Sequence, residues 1–172
     1  AFTLFTFLIL MLSAKNVFSS EMIEVPAGKF VMGDEADNGA LPQQDILLQE
    51  FSIDRFEVTQ EEYARLFPEF IFWKGAEAHP VTNITWHQAQ SYCKQLGKRL
   101  PTEQEWEKSA RGTDARLYPW GDKPLRKKPH PFYSGIIKRR VGLNKKDNSP
   151  YGARDMAGSV WEWTASTENG EK

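Results

Sequence analysis

Residues 97–107 read Gly-Lys-Arg-Leu-Pro-Thr-Glu-Gln-Glu-Trp-Glu, and this stretch holds the end of one helix and the start of the next. Gly97 suits the left-handed conformation in which helices commonly stop. Thr102 and Glu105 form a capping box, because the threonine accepts from an orphan amide while the glutamate reaches back. The stretch therefore predicts a helix that ends at Gly97 and another that begins after Thr102.

Two further segments carry the same capping-box pattern and predict helix starts. Residues 59–62 (Thr-Gln-Glu-Glu) and 85–88 (Thr-Trp-His-Gln) each place a threonine three residues ahead of a Glu or Gln. Apolar residues follow both boxes at helical spacing, as on the buried face of a short helix. Three helices are therefore expected between residues 59 and 112.

The strands are expected nearer the N-terminus. Met22 to Gly33 alternates apolar and polar residues around a Pro-Ala-Gly turn, which predicts a short two-stranded ribbon. Leu47 to Val58 predicts another strand, with Phe51, Ile53 and Phe56 as candidate inward residues. From residue 117 onward the pattern is irregular. Short strands, three helices and an irregular tail indicate an α+β fold.

Composition places few limits on partners. The 172 residues are 40% hydrophobic and 13% aromatic, which is enough for one globular domain. The net charge is −1, so no global attraction to nucleic acid or membrane is expected.

Seven Lys or Arg and no acid lie between Lys123 and Arg140. This loop is either a docking surface for an acidic partner or, more commonly, a solvated variable loop.

Residues 1–20 have the character of a signal peptide. Phe2 to Leu12 is an unbroken run of apolar and hydroxyl residues, too short to span a bilayer, and Val17-Phe18-Ser19-Ser20 offers small residues for cleavage. The chain lacks an initial Met and a positive n-region, so this segment is expected to be incomplete. The sequence predicts an exported protein (periplasmic, extracellular or in the secretory pathway) whose domain occupies residues 21–172.

Six segments in one order resemble the formylglycine-generating enzyme, or sulfatase-modifying factor, family. That resemblance implies a C-type-lectin-like α+β fold with little regular secondary structure, truncated here at its C-terminus. The segments are Gly28–Gly33, Phe56–Tyr63, His79–Trp86, Gly97–Glu107, Tyr118–Gly121 and Gly152–Trp163.

The Asp155–Glu162 loop is the candidate metal site. By spacing alone its two acids are no more than a weak calcium signal, because the pattern is not an EF-hand. The resemblance implies a structural calcium ion held by the Asp155 and Glu162 side chains and by the Gly158 and Val160 carbonyls. Ser159 stands where the family usually has Asn. Ligands for the family's other calcium site find no match between residues 123 and 148.

The resemblance also implies chemistry that this sequence does not complete. The family's enzymes oxidise a sulfatase cysteine to formylglycine with dioxygen and copper, which two cysteines bind. The sequence contains one cysteine, Cys93. We therefore expect no catalytic residues in this chain, and copper only if a further C-terminal region supplies two cysteines. Cys93 itself is either a small buried residue or an unpaired disulfide partner.

Two functions follow as alternatives. The first is a protein related to the oxidases, inactive as this chain stands, with a sulfatase or another exported protein as its partner. The second is a non-catalytic secreted binding or accessory module on the same fold. A sulfoxide-synthase role would need a helical iron-binding domain ahead of this one. We interpret four tryptophans as packing residues rather than as the walls of a peptide groove: Trp106, Trp120, Trp161 and Trp163.

Overall fold

A computed structural model describes residues 20–34, 42–123 and 139–165. The predicted signal peptide, apart from Ser20, and most of the basic loop lie outside these residues. Four short strands precede three helices, and irregular segments make up the rest of the described chain. The elements are β1 (Met22–Val25), β2 (Gly28–Met32), β3 (Gln44–Leu48), β4 (Phe51–Asp54), α1 (Gln60–Leu66), α2 (Trp86–Gln95) and α3 (Glu103–Arg111).

The ribbon predicted within residues 22–33 is wrong in its pairing. β1 and β2 do not pair with each other: β1 pairs antiparallel with β4, and β2 pairs antiparallel with β3. Gly28 lies opposite Leu48 and Val25 lies opposite Phe51, so both ladders share one register. The four strands therefore form one long two-stranded antiparallel ribbon, with β1 and β2 along one side and β3 and β4 along the other. The ribbon is interrupted between β1 and β2 and, directly opposite, between β3 and β4.

The interruption has a local cause at Pro26. Proline has no backbone N–H to donate to a ladder, so it breaks a strand at its own position. The ammonium of Lys108, on α3, donates to the carbonyl oxygens of Pro26 at 2.7 Å and of Gly28 at 3.0 Å. Lys108 is 1% exposed, so a charge-assisted contact takes the place of the missing strand hydrogen bonds. The predicted strand over residues 47–58 is likewise split, and it ends at Asp54.

All three predicted capping boxes are confirmed. Thr59, Thr85 and Thr102 each cap a helix, and each accepts from the backbone N–H three residues later. Gly97 has a φ of 69°, in the left-handed region expected after α2. These helix starts were predictable because a cap depends on residues that are close in sequence.

The core lies where β1, α3 and the tail meet. Ala110, Ala153 and Met156 form its buried cluster, against which Ile23 and Trp106 pack. α3 also packs on β2, and α1 packs on α2. None of the three described helices has the length and apolar character needed to cross a membrane. The tail over residues 139–165 is thus held against the helices, and it carries the candidate site.

Candidate metal centre

A tight loop brings two aspartates opposite each other. Asn148 and Arg154 form an isolated antiparallel bridge, so the residues that flank it, Asp147 and Asp155, face each other. Ser149 closes the loop: its N–H donates to the Ala153 carbonyl at 2.9 Å, and its hydroxyl accepts from the Ala153 N–H at 3.0 Å. Asp147 is 1% exposed and Asp155 is 7% exposed. Two carboxyl groups are therefore buried side by side.

Asp155 is fixed by its own backbone and by a neighbouring glycine. Its φ of 59° lies in the left-handed region, which aspartate tolerates better than most residues. One carboxyl oxygen accepts from the backbone N–H of Gly142. A Cβ at Gly142 would lie 2.6 Å from the Phe56 ring, so the close approach requires glycine there. The predicted ligand Asp155 is thus held by a contact that no other residue type at position 142 would allow without rearrangement.

Glu162 lies on the other side of the loop, under α3. One of its carboxyl oxygens accepts from the indole N–H of Trp106 at 2.8 Å. The chain just beyond it is anchored, because the Ala165 N–H donates to the Pro101 carbonyl at 2.7 Å and the Trp86 indole donates to the Thr164 carbonyl at 2.7 Å. Both side-chain ligands implied by the resemblance therefore occupy fixed positions.

Glu57 is a site residue that sequence reasoning missed. One of its carboxyl oxygens accepts from the backbone N–H of Val160 at 3.3 Å, and Ser159 also hydrogen-bonds this side chain. The other oxygen is buried and has no hydrogen-bond partner among the described residues. Glu57 and Val160 are 103 positions apart. No spacing rule connects them, and the sequence around Glu57 predicts a strand and a helix start but no ligand.

Asp147 is the second missed residue. Its Oδ2 accepts from the backbone N–H of Ala157 at 2.9 Å. Its Oδ1 is buried, and nothing in the described part of the chain donates a hydrogen bond to it. Four carboxyl groups thus surround one short loop, from Asp147 and Glu57 outside it to Asp155 and Glu162 at its ends.

Burial, and for Glu57, Asp147 and Glu162 also a neighbouring carboxylate, raises the pKa of these carboxyl groups. Burial, reinforced by the neighbouring carboxylates of Glu162 and Asp155, raises the pKa of Glu57 to about 8. Burial raises the pKa of Glu162 to about 7 and that of Asp147 to about 6, and it also raises the pKa of Asp155. The ion pairs seen within the described residues use none of these four groups. Arg154 favours the ionised forms of Asp147 and Asp155, and Arg139 that of Asp155, but burial outweighs both and the pKa values stay raised.

The cluster is too spread for side chains alone to chelate an ion. Within the described residues, no three His, Cys, Asp or Glu side chains are placed so that they could hold a metal among themselves. A cation at this loop would need carbonyl or water oxygens besides the carboxylates. Gly158, with a φ of 104°, gives the loop a turn that residues with side chains rarely adopt. The arrangement is thus compatible with a mixed set of carboxylate and carbonyl ligands.

An open groove runs beside the loop. Its volume is about 1340 Å³, and β4, α2 and the tail contribute to its walls. Cys93 lines it as a partly buried free thiol whose pKa is raised by burial. Trp161 and Trp163 also line it, with 88% and 48% of their surfaces exposed, so the packing role that we expected for these two is wrong. Trp106, by contrast, packs against the core.

Comparison with known proteins identifies the family. The model of the sulfatase-modifying factor enzyme 1-like domain matches residues 10–171. The chain belongs to this family. The sulfatase-modifying factor domain therefore covers all the described elements, as the six ordered segments implied.

Relatives of the domain include proteins named as active and as inactive. The chain is 30% identical to an uncharacterised Bacillus subtilis protein, YfmG, over 84% of this chain and 41% of that protein. It is 27% identical to mouse inactive C-alpha-formylglycine-generating enzyme 2, over 85% of this chain and 68% of that protein. It is also 27% identical to bovine formylglycine-generating enzyme, over 85% of this chain and 58% of that protein.

A solved structure shares the fold of the sulfatase-modifying factor domain. The crystal structure of CarF superposes with a TM-score of 0.60 and 23% identity, over 86% of this chain and 80% of that one. Together with the family match, it confirms the C-type-lectin-like α+β fold with little regular secondary structure.

Proposed function

We propose that this protein is an exported sulfatase-modifying-factor-type domain protein whose Asp155–Glu162 loop holds a structural calcium ion. The observation that supports this most directly is the group of four desolvated carboxyls that form no ion pair within the described residues. Buried charges in proteins are paired or bound to metal, since leaving them unpaired is costly. A divalent cation would supply the missing positive charge.

The donor set favours calcium among the common cations. Every candidate donor is an oxygen, from the Asp155 and Glu162 side chains and the Gly158 and Val160 carbonyls, and hard oxygen ligands suit calcium. Magnesium needs a nearly ideal octahedron and gives up its waters reluctantly, whereas calcium accepts irregular sets of six to eight oxygens. The unpaired oxygen of Glu57 lies beside Val160 and would add negative charge once the carboxyl group ionises. The residues present therefore fit calcium, and they would hold it as a structural ion.

Terbium luminescence tests this assignment. Tb³⁺ binds oxygen-rich calcium sites and emits when a nearby indole absorbs light, and the Trp106 indole contacts Glu162. We expect sensitised emission from the wild-type protein that calcium displaces, that falls in Trp106→Phe to the part sensitised by Trp161 and Trp163, and that persists in full in Trp120→Phe. Emission that is absent from the wild type, or undiminished in Glu162→Ala, would contradict the site.

As to catalysis, we propose that these 172 residues do not oxidise a sulfatase cysteine by themselves. Two thiolates are needed for the family's copper, a soft ligand pair suited to Cu(I), and the sequence contains one cysteine. Equal identities to relatives named active and inactive favour neither alternative. The chain acts either as part of a formylglycine-generating protein or as an accessory module that binds a sulfatase or another exported protein.

An oxidation assay tests this proposal. A cysteine-containing sulfatase peptide, incubated with the protein, Cu(I) and dioxygen, should keep its thiol, as read by the peptide mass. Formation of formylglycine would show that the proposal is wrong. For the export proposal, the chain preceded by an initial Met and a basic n-region should be recovered from a secreting host as a protein that begins near Glu21. Recovery of the uncleaved chain from the cytoplasm would contradict it.

A further inference from the structure

We propose that Asp147 is a positioning residue for the calcium loop and the source of an additional negative charge beside it. This inference rests on the calcium site proposed above and adds a residue outside the loop. Asp147 comes eight positions before Asp155 and is not among the four ligands that the resemblance implies. Its role follows from contacts, burial and an unpaired oxygen.

The first step is the contact between Asp147 and the loop backbone. Asp147 Oδ2 accepts from the Ala157 N–H at 2.9 Å, and Ala157 lies between the side-chain ligand Asp155 and the carbonyl ligand Gly158. Fixing this amide fixes the plane of the Met156–Ala157 peptide, the middle one of the three peptides between the two ligands. The Asp147 carbonyl also accepts from the Asp155 N–H, at 3.4 Å. Asp147 therefore holds the first half of the loop through its side chain and its backbone.

The second step concerns the other carboxyl oxygen of Asp147, Oδ1, which this contact leaves without a hydrogen-bond partner among the described residues. Asp147 is 1% exposed, and its Oδ1 has no donor within the described chain. An unsatisfied buried carboxylate oxygen costs free energy, so it is normally explained by a water, an ion or a functional requirement. A cation at the facing Asp155 would compensate it.

The third step separates positioning from ligation. Three side chains do not converge as a chelating set anywhere in the described residues, so Asp147 is not added to the direct ligands. It acts on the cation through its charge and through the loop amide. Groups that orient metal ligands in this way typically change metal affinity about 10- to 100-fold when they are mutated.

Asp147→Asn tests the proposal, because asparagine keeps an acceptor for the Ala157 amide and removes the charge. We expect the calcium dissociation constant to rise about tenfold. The metal-free variant should be at least as stable as the wild type, because a buried unpaired charge is gone. A purely structural role would lower the metal-free stability and leave the calcium constant unchanged. The matched control is Asp45→Asn, on the exposed face of β3, which should alter neither quantity.

Asp147→Glu gives a second measure if the asparagine variant folds poorly. It retains the charge, so its calcium constant should stay nearer to that of the wild type than that of Asp147→Asn, read by calorimetric titration of Ca²⁺. If the wild type and Asp147→Asn bind calcium with equal dissociation constants, this inference is overturned and the calcium site still stands. Absence of calcium binding by the wild type would overturn both.

Discussion

Chelation of calcium is expected to lower the melting temperature of the wild-type protein by about 5–10 °C. A ligand present at 100 times its dissociation constant stabilises the folded state by about 2.7 kcal/mol. For a domain of 150–250 residues, each kcal/mol moves the melting temperature by about 2–4 °C. The effect should be lost in Glu162→Ala, because the loop then lacks one of its two side-chain ligands.

The behaviour of the metal-free variant makes this prediction specific. Glu162 is desolvated, and its pKa of about 7 means that burial disfavours its charge. Removing it should therefore cost the metal-free protein little beyond the hydrogen bond with Trp106. Glu162→Gln keeps an acceptor for that indole and should show the same loss of the calcium effect. Glu24→Ala, at an exposed position of β1, serves as the control and should melt with the full calcium increment.

Glu162→Ala would contradict the site if calcium still raised its melting temperature by the wild-type amount. A wild type that melts at one temperature with and without calcium would also contradict it. Differential scanning calorimetry, in calcium and after passage over a chelating resin, gives the melting temperatures of the wild type and of Glu162→Ala with and without calcium.

Metal-free protein is expected to lose stability as the pH rises from about 4 to 8. In the unfolded chain, carboxyl groups ionise near pH 4. In the folded chain, the pKa of Asp147 is raised to about 6 and that of Glu57 to about 8. Between these limits the carboxyl groups of the cluster bind more protons in the folded state than in the unfolded state. The free energy of unfolding therefore falls with rising pH, on the order of 3 kcal/mol for Asp147 alone.

Calcium should reverse much of this loss, because the ion needs ionised carboxylates and competes with their protons. The stabilisation by calcium should thus be small near pH 5 and large near pH 8. Glu57→Gln should flatten the pH dependence of the metal-free protein, since glutamine does not ionise. Urea unfolding at a series of pH values measures both effects. Stability of the metal-free protein that increases between pH 4 and 8 would show that the cluster is not destabilising when ionised.

The sequence could predict what depends on neighbouring residues. The caps at Thr59, Thr85 and Thr102 are each complete within four residues, and all three were found. The pairing of β1 with β4 was missed, because it joins residues about 30 positions apart and the nearby Pro-Ala-Gly turn suggested a hairpin. The Pro-Ala-Gly turn correctly predicted a break between β1 and β2, but it wrongly predicted that these two strands pair with each other.

The candidate site divides in the same way. Asp155 and Glu162 lie seven positions apart, and the family resemblance identified them. Glu57 reaches Val160 across 103 positions, which only the folded chain brings together. Asp147 is close to the loop in sequence, but its burial and its contact with Ala157 depend on the bridge that closes the preceding turn. Glu57 and Asp147 are assigned to the site because each has a buried carboxyl oxygen without a hydrogen-bond partner in the described residues. Residue spacing reveals neither the burial nor the missing partner.

Titration calorimetry of Ca²⁺ into metal-free wild-type protein at pH 7, in two buffers of different ionisation enthalpy, tests the central claim most directly. The account predicts one bound calcium per chain and a release of protons, seen as a heat that depends on the buffer, because the pKa values of Glu57 and Glu162 lie near this pH. Absence of binding heat in both buffers, or binding that is unchanged in Glu162→Ala, would contradict it.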